Sequence, residues 1–225
     1  MKSFSVKISN IEPVTHDVKR FVVEKPAGFK FVPGQATEVS INLPEWREKK
    51  RPFTFTSLNS EEVLEFVIKA YPSHEGVTQK LHTLEPGAEI LIGEPWGTIN
   101  YSGKGVFLAG GAGVTPFIAI FRDLHKKGQL EGNKLIFSNK TDKDVILEKE
   151  LREYFGDAAT FVLTDQENVD ASKYEKAYID KEYLSSKISD FSQKFYVCGP
   201  PGFVKAMRGS LTDLGASSDE VVFEK

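Results

Sequence analysis

The sequence predicts two domains of different class: a six-stranded antiparallel β-barrel over residues 1–101, and an α/β domain with a five-stranded parallel sheet over residues 102–225. In the first half, short segments alternate apolar and polar residues between turns rich in glycine and proline, which is typical of antiparallel strands. From about Gly103 onward, apolar strand segments alternate with helical segments, and this order indicates a parallel sheet covered by helices. The change of pattern places the boundary near Tyr101.

The barrel is predicted from six short strand segments: Ser5–Ser9, Lys19–Val23, Ala36–Leu43, Arg51–Leu58, Val63–Lys69 and Glu89–Gly93. Turn signals such as Pro33-Gly34 and Glu85-Pro-Gly87 separate these segments. Strands of this length and spacing favour a barrel. One short helix is predicted over Val77–Leu84.

The α/β domain is predicted from strands Gly105–Ala109, Lys134–Ser138, Thr160–Thr164, Lys194–Cys198 and Glu220–Phe223, with helices Pro116–Lys127, Val145–Phe155 and Pro201–Leu214. Thr115 is the expected N-cap of the first helix, and Pro116 suits its first helical position. Gly128 and Gly215 are the expected stops of the first and last helices. The polar stretch Asp165–Lys176 is predicted as a loop.

Composition excludes several classes of protein. The chain has 225 residues, 40% hydrophobic and 27% charged, with a net charge of −3, so nothing indicates a nucleic-acid partner. The single cysteine, Cys198, excludes an intrachain disulfide and an iron–sulfur cluster held by several cysteines of this chain. The four histidines do not have metal-ligand spacing, so no metal site is expected. We expect a cytoplasmic monomer without membrane contact, because no apolar run has the length of a membrane span or of a signal-peptide core.

Two junctions in the α/β half carry the strongest functional signal. The phrases Val106–Pro116 (VFLAGGAGVTP) and Phe195–Phe203 (FYVCGPPGF) each describe an apolar strand that ends in glycine and proline before a helix. The free N–H groups of such a helix start bind phosphate. Two junctions of this kind predict a dinucleotide site at the carboxyl ends of parallel strands. Pro116 stands where the third glycine of Gly-x-Gly-x-x-Gly is expected, which argues against a conventional dehydrogenase Rossmann domain.

A second signal lies in the barrel half. Arg51, Phe53 and Phe55 alternate along the predicted strand with Pro52, Thr54 and Thr56. A guanidinium suits a diphosphate, an aromatic ring stacks on a flat heterocycle, and a hydroxyl donates to a ring nitrogen. An ordinary strand with an exposed arginine and core phenylalanines is an open alternative. Further along, Gly76-Val-Thr78 offers close backbone approach and a hydroxyl at a helix start.

These motifs together resemble the ferredoxin–NADP reductase-like flavoproteins, over nearly the whole chain and in that family's order. Arg51–Thr54 (RPFT) is similar to the family's Arg-x-Tyr-Ser/Thr flavin motif, and Gly76–Thr78 is similar to its second phosphate-binding turn. Gly93–Gly97 looks like the turn between the domains, with one residue inserted. Gly110–Pro116 resembles the nicotinamide-nucleotide loop, and Cys198-Gly-Pro200 with Phe203 resembles the second nucleotide motif.

The resemblance implies a role for each matched residue. In the flavin site, Arg51 would hold the phosphate, Phe53 would stack on the isoalloxazine and Thr54 would bond its N5. The other residues implied at the flavin are Pro52, Val67, Ile68, Lys69, Gly76, Val77 and Thr78. Those implied at the nicotinamide dinucleotide are Gly110, Gly111, Gly113, Val114, Thr115, Pro116, Cys198, Gly199, Pro200 and Phe203. Thr54 and Cys198, beside the reacting atoms, are the implied catalytic residues.

Two departures from the family pattern bear on the flavin. Phe53 stands where the family has tyrosine, so a phenol hydrogen bond to the flavin is lost. Many relatives end in an aromatic residue that covers the flavin face. Here Glu224 matches the glutamate before that residue, and the aromatic position itself falls beyond Lys225. Either Phe223 covers the flavin face or that face is open, and we favour Phe223 as a core residue of the last strand.

The resemblance predicts an NAD(P)H oxidoreductase that transfers a hydride to bound flavin and then passes single electrons to a separate carrier, such as a ferredoxin, a flavodoxin or an oxygenase component. The flavin is FAD, with FMN as the alternative, and the donor is NADH or NADPH. After the second strand, Lys140 and Lys143 suit a 2′-phosphate but Asp142 and Asp144 repel it, which favours NADH slightly. The alternatives are a free-flavin or ferric-chelate reductase, and a non-catalytic flavin-binding subunit of a larger complex.

Overall fold

The computed structural model describes residues 3–71, 75–97 and 99–223. Contacts divide the chain into two compact units. The first contains Met1–Gly97 together with Thr115–Asp123, and the second contains Thr98–Val114 together with Leu124–Lys225. The segment Thr115–Asp123 therefore belongs by its contacts to the barrel unit, although it follows the first strand of the other unit in the chain.

The first unit is an antiparallel barrel. Its elements are β1 (Phe4–Pro13), β2 (Val18–Glu24), β3 (Ala36–Ile41), β4 (Arg51–Thr54), β5 (Val63–Lys69), α1 (Val77–His82) and β6 (Glu89–Ile92). The strand order is β4-β3-β6-β1-β2-β5, and every pair is antiparallel. The amide of Thr56 donates to the carbonyl of Glu65 (2.9 Å), which joins the chain just past β4 to β5 and nearly closes the barrel. The six-stranded barrel prediction is confirmed.

The β4 strand is shorter than the predicted Arg51–Leu58 because its partner changes. Up to Thr54 it pairs with β3, where Thr54 lies opposite Ala36. From Thr56 onward the chain bonds to β5 instead. This change of partner turns Phe55 into the barrel core, where its ring centre lies 4.4 Å from that of Phe31.

The second unit contains a parallel sheet. Its strands are β7 (Gly105–Gly110), β8 (Lys134–Asn139), β9 (Ala159–Leu163), β10 (Glu175–Lys176), β11 (Lys194–Cys198) and β12 (Val221–Phe223), and α2 (Thr115–Lys126), α3 (Glu148–Phe155), α4 (Lys181–Lys187) and α5 (Pro201–Asp213) lie between them in the chain. The order is β10-β9-β8-β7-β11-β12. The central strand β7 is buried along its whole length, as expected of a parallel sheet covered on both faces.

Two elements of this unit differ from the prediction. The sheet has six strands rather than five, because Glu175 and Lys176 pair with β9 inside the stretch predicted as a loop. A strand of two residues is too short to show a periodic pattern. Helix α4 was also missed; its N-cap is Asp180, which accepts from the amide of Tyr183 (2.8 Å), and Leu184 is its one buried residue.

Four helix ends also bear on the prediction. A 3-10 turn over Gly111–Val114 runs directly into α2, so Thr115 is the first helical residue rather than the N-cap. Helix α3 begins at Glu148 rather than Val145, because a 3-10 turn over Asp142–Asp144 precedes it. The first and last helices of this half end before Gly128 and Gly215, whose φ angles are +65° and +96°, as predicted.

The last described strand contains Phe223. Its ring packs against the core of the second unit, and the guanidinium carbon of Arg208 lies 3.9 Å from the ring centre. This placement supports the interpretation of Phe223 as a core residue; Glu224 and Lys225 lie outside the described residues. Within the described ranges, no helix combines the length and the apolar character needed to cross a membrane.

Candidate active site

Strand β4 presents the predicted flavin motif at the barrel rim. Arg51 is exposed, and its Nη1 donates to the neighbouring carbonyl of Lys50 (2.7 Å). Pro52 is exposed as well. Phe53 is half-buried against the barrel core, while Thr54 is 8% exposed. One strand thus offers a solvated guanidinium, a partly available ring and a nearly covered hydroxyl in consecutive positions along its length.

A buried polar network lies directly behind this motif. The Glu65 carboxylate on β5 is 7% exposed, and it accepts from the Thr56 hydroxyl (2.8 Å) and from Nη1 of Arg122 (2.6 Å). The same Nη1 donates to the carbonyl of Thr56 (2.8 Å). The hydroxyl of Ser57 accepts from the amide of Glu65 (3.0 Å). Sequence reasoning missed this network; its available signal was one glutamate inside an otherwise apolar buried strand.

The second strand of the implied flavin site, β5, matches its predicted role only in part. Val67 is buried, and Ile68 belongs to the barrel core, so the side chain of Ile68 is not available to a cofactor. The carbonyl of Ile68 accepts from Nε2 of His82 (2.8 Å). Lys69 is bound in an ion pair with Asp17 (2.9 Å). A flavin contact from Ile68 is therefore limited to its backbone.

The implied phosphate turn precedes helix α1. Gly76 is the N-cap, in an extended conformation and without a side-chain cap. Val77 is buried in the barrel core and fixes the turn, whereas Gly76 and Thr78 remain partly exposed. Burial, the largest influence, lowers the pKa of His82 at the end of this helix below its ordinary value of 6.5. His74, which precedes the turn in the sequence, lies outside the described residues.

In the second unit, the two predicted nucleotide motifs touch each other. A β-carbon on Gly113 would collide with the backbone of Cys198 and Gly199. A β-carbon on Gly199 would lie 2.7 Å from the ring of Phe203, and one on Gly110 would lie 3.1 Å from the same ring. The glycines are required because the loop after β7 and the turn after β11 pack backbone against backbone. The motif glycines add no side chain of their own at this edge, which fits the close approach of a diphosphate.

The remaining residues of these motifs differ in conformation and exposure. Gly111 has a φ of +52°, a left-handed conformation that glycine adopts without strain. Val114 and Pro116 are buried, and Thr115 is partly buried. Cys198 ends β11 beside Ala109 of β7 and is 5% exposed, so its thiol is largely packed. Pro200 is exposed and is the N-cap of α5.

Asn139 is a candidate site residue that the sequence analysis did not single out. It ends β8 at the same carboxyl edge as Gly110 of β7, and it is 5% exposed. Neither its amide nitrogen nor its amide oxygen has a hydrogen-bond partner. Buried polar groups are nearly always paired, so an unpaired amide at this edge fits a polar ligand there. Its only sequence signal was a polar residue that ends an apolar strand.

Matches to known proteins agree with this geometry. Residues 5–101 match the oxidoreductase FAD-binding domain family, and residues 107–209 match the oxidoreductase NAD-binding domain family. The fold and the two motif sets thus define a two-unit flavoprotein oxidoreductase that uses FAD and a nicotinamide nucleotide. The chain belongs to the ferredoxin–NADP reductase-like family and is an NAD(P)H-dependent flavoprotein reductase.

Several individual relatives support this assignment. The chain is 30% identical to NADH-cytochrome b5 reductase 2 of Aspergillus niger, over 96% of this chain and 72% of the relative. It is 25% identical to the reductase component of propane 2-monooxygenase of Rhodococcus jostii, over 97% of this chain and 62% of the relative.

The fold matches solved structures at lower sequence identity. A ferredoxin NADP+ reductase from Neisseria gonorrhoeae with bound FAD and NADP gives a TM-score of 0.84 at 20% identity, covering 100% of this chain and 98% of the other. The FAD/NAD binding domain of nitric oxide dioxygenase from Vibrio cholerae gives 0.84 at 18% identity, with coverages of 98% and 97%. These two matches establish the fold.

Proposed function

We propose that this chain oxidises NADH through bound FAD and delivers electrons one at a time to a separate heme carrier of the cytochrome b5 type. The observation that carries the proposal is the contact between Gly113 and the Cys198–Gly199 backbone, because it builds one nucleotide edge from two distant motifs. FAD supplies the chemistry of hydride acceptance and single-electron release. The protein supplies binding, orientation and the exclusion of water.

On the flavin side, each residue has a distinct task. The exposed Arg51 provides a fork of donors for the phosphates, and Gly76 and Thr78 add backbone and hydroxyl donors. The part of Phe53 that the barrel leaves uncovered would stack on the flavin ring. The Thr54 hydroxyl would donate to the flavin N5 position from a nearly water-free environment, where a hydrogen bond is stronger.

On the nucleotide side, backbone groups of Gly111–Val114 bind the diphosphate, and Asn139 offers its unpaired amide to a polar group of the nucleotide. Two acidic residues favour NADH over NADPH. Asp144 accepts from the amide (2.9 Å) and hydroxyl (2.7 Å) of Thr141, and Asp142 lies in the same turn beside Lys140. This turn places two carboxylates and one ammonium group, that of Lys143, just past the end of β8, so its net charge is negative.

The carrier is inferred from the relatives. Those that match over most of their own length carry the name NADH-cytochrome b5 reductase, and another is the reductase component of an oxygenase. Both names describe electron transfer to a separate protein. The cytochrome b5 reductases are the more similar, so a heme carrier is favoured over a ferredoxin or a flavodoxin.

The first experiment records the absorbance of the purified protein without oxygen while NADH, and then NADPH in a fresh sample, is added. We expect a bound yellow flavin that NADH bleaches faster than NADPH. Cytochrome b5, a ferredoxin and a flavodoxin are then compared as acceptors at equal concentration. If the protein binds no FAD, the proposal is refuted. If a ferredoxin is reduced faster than cytochrome b5, the ferredoxin becomes the proposed carrier.

One feature favours a second candidate, a reductase of free flavin. Phe53 lacks the phenol hydroxyl of the family's tyrosine. Weaker flavin binding suits an enzyme whose flavin leaves after each turnover. In that case turnover depends on added flavin and saturates at micromolar concentration. Retention of FAD through gel filtration would exclude it.

The role of Cys198 is tested separately, because its burial suits simple packing equally well. If the thiol contributes near the nicotinamide, Cys198→Ala slows flavin reduction at saturating NADH while the stability of the protein changes little. An unchanged reduction rate assigns Cys198 to packing alone.

A further inference from the structure

We propose that Glu65 and Arg122 are positioning residues that hold β4, the strand with the flavin motif, in the position needed for hydride transfer. Their ion pair holds the backbone two residues past Thr54, and it ties this backbone to α2, the helix that directly follows the nucleotide loop in the chain. The inference rests on the proposed function, since it concerns the same flavin site.

The contacts converge on one short segment. A single nitrogen of Arg122 donates both to the Glu65 carboxylate (2.6 Å) and to the Thr56 carbonyl (2.8 Å). Thr56 is bonded three times by this pair: its hydroxyl donates to Glu65 Oε1 (2.8 Å), its amide to the Glu65 carbonyl (2.9 Å), and its carbonyl accepts from Arg122. Thr56 is 0% exposed, so water does not compete for these groups.

The network explains how a short β4 holds a defined position. Ladder pairing with β3 ends at Thr54. Beyond that residue, the Phe55 amide donates to the Gln35 carbonyl (3.1 Å), and Thr56 is fixed by Glu65 and Arg122 rather than by a regular ladder. Thr54 is two residues from Thr56, which is about 7 Å in an extended chain, so a shift of Thr56 moves the Thr54 hydroxyl with it.

Stability alone gives a weak reason for this arrangement. Burying two charges costs nearly as much as their attraction returns, and apolar residues of similar volume commonly serve as well. A buried pair with several hydrogen bonds nevertheless fixes a unique geometry, because its donors and acceptors are satisfied in one arrangement only. Here that geometry belongs to the segment next to the implied N5 donor.

The pair lies within the first unit, which includes Thr115–Asp123 as well as the barrel. The other oxygen of Glu65 lies 3.9 Å from Arg20, so the carboxylate is flanked by two guanidinium groups. Side-chain exposures of 14% for Arg122 and 10% for Glu65 confirm that solvent screens the pair little.

The test compares Arg122→Met, Glu65→Gln and the double variant with the wild type. The limiting rate of flavin reduction at saturating NADH is expected to fall about 10- to 100-fold in each single variant, the size expected of a small misplacement of reacting groups. The flavin dissociation constant is expected to change less than about 3-fold. The two losses should not add in the double variant, because both remove one interaction.

A second readout does not involve the loaded enzyme. In the flavin-free protein, amide hydrogen exchange at Thr56 should accelerate in both single variants, because Arg122→Met removes the donor to the Thr56 carbonyl and Glu65→Gln removes the charge that holds this donor in place. Arg122→Lys should restore both the exchange protection and the reduction rate to within about 3-fold of wild type, since one nitrogen makes both contacts.

The matched control is a second glutamate–arginine pair, Glu148 and Arg152 on α3 (2.8 Å), which Glu148→Gln and Arg152→Met disrupt in the same way. If the single variants of the Glu65 pair keep reduction rates within 2-fold of wild type, or lose only flavin affinity, the inference is overturned. The double variant removes both charges and guards against a single variant that fails to fold. If NADH does not reduce the flavin of the wild-type protein, the proposed function is refuted instead. If amide exchange at Thr56 is unchanged in the variants, the positioning role is refuted.

Discussion

Strand β4 is proposed to bind the flavin, and the loop Gly110–Pro116 is proposed to bind the nucleotide. Both would bind a cofactor, yet they use different parts of the chain. The strand relies on side chains: the exposed Arg51, the half-buried Phe53 and the covered Thr54. The loop relies on backbone, with Gly113 and Gly199 packed so closely that β-carbons have no room.

The difference predicts different tolerance to change. When a binding side chain is removed, the site loses the affinity of that group and the strand stays folded. When a binding site is made of closely packed backbone, even one added methyl group displaces the backbone itself. The predictions below probe this contrast, in order of decreasing effect.

The largest effect is expected from Gly113→Ala. The new methyl group collides with the Cys198 carbonyl, and because both atoms belong to backbone, the loop must move. We expect a loss of about 1–3 kcal/mol in unfolding free energy. NADH-dependent flavin reduction should slow by about 100-fold. Stopped-flow absorbance and denaturant titration measure the two quantities.

The control for this variant is Gly209→Ala. Gly209 lies in α5 with no atom within 4 Å of the added β-carbon, so the alanine should stabilise the helix by up to about 1 kcal/mol. Flavin binding itself should survive in Gly113→Ala. A Gly113→Ala protein that reduces flavin at the wild-type rate would show that the loop is not the nucleotide site.

Arg51→Ala tests the side-chain site. Loss of a charge-assisted hydrogen bond to phosphate should weaken flavin binding by about 10- to 100-fold, while the stability of the flavin-free protein stays within about 0.5 kcal/mol because Arg51 is exposed. Arg47→Ala is the matched control, since Arg47 lies close by in the chain and bonds Asn42 instead (2.8 Å). Equal flavin affinity in the two variants would contradict the role of Arg51.

Phe53→Tyr restores the family's phenol. One added hydrogen bond is worth about 1 kcal/mol, so flavin affinity should rise about fivefold, measured by fluorescence titration. Phe31→Tyr adds the same hydroxyl inside the barrel core and should give no gain in affinity. If Phe53→Tyr binds flavin no more tightly, the ring does not lie beside the flavin.

The smallest effect concerns pH. Because the folded protein lowers the pKa of His82 below 6.5, the unfolded chain takes up the proton first as the pH falls. The contribution of neutral His82 to the free energy of unfolding is complete above pH 6.5. It declines as the pH falls through the lowered pKa. His82→Gln should flatten this decline between pH 7 and pH 5, measured by thermal unfolding. His125→Gln, which changes an exposed histidine, is the control. If the slope of stability against pH is unchanged in His82→Gln, the decline does not come from His82.

Much of the fold followed from local pattern. The six barrel strands and five of the six parallel strands were predicted because alternation and apolar runs are local properties of the chain. The two-residue strand β10 and helix α4 were missed, because neither carries enough buried residues to form a pattern. The prediction of Thr115 as N-cap was wrong because the preceding glycines form a 3-10 turn continuous with α2.

The site divides in the same way. Arg51–Thr54, Gly110–Pro116 and Cys198–Gly199 could be proposed as site residues from the sequence, because phosphate and flavin binding need short runs of particular residues. The ion pair of Glu65 and Arg122 joins residues 57 positions apart, and no local pattern marks either of them as a partner. The unpaired amide of Asn139 is visible only when its neighbours are known.

The sequence by itself determined the class of each unit and the order of the motifs, and it predicted the residues that would reach the cofactors. Tertiary structure alone decided that Gly113 packs on Cys198, that Ile68 points into the barrel core and that Glu65 is paired with Arg122. The physical reason is the range of the forces concerned. Periodicity and turn chemistry act between neighbours in the chain, whereas close packing and buried charge pairs depend on which distant segments meet.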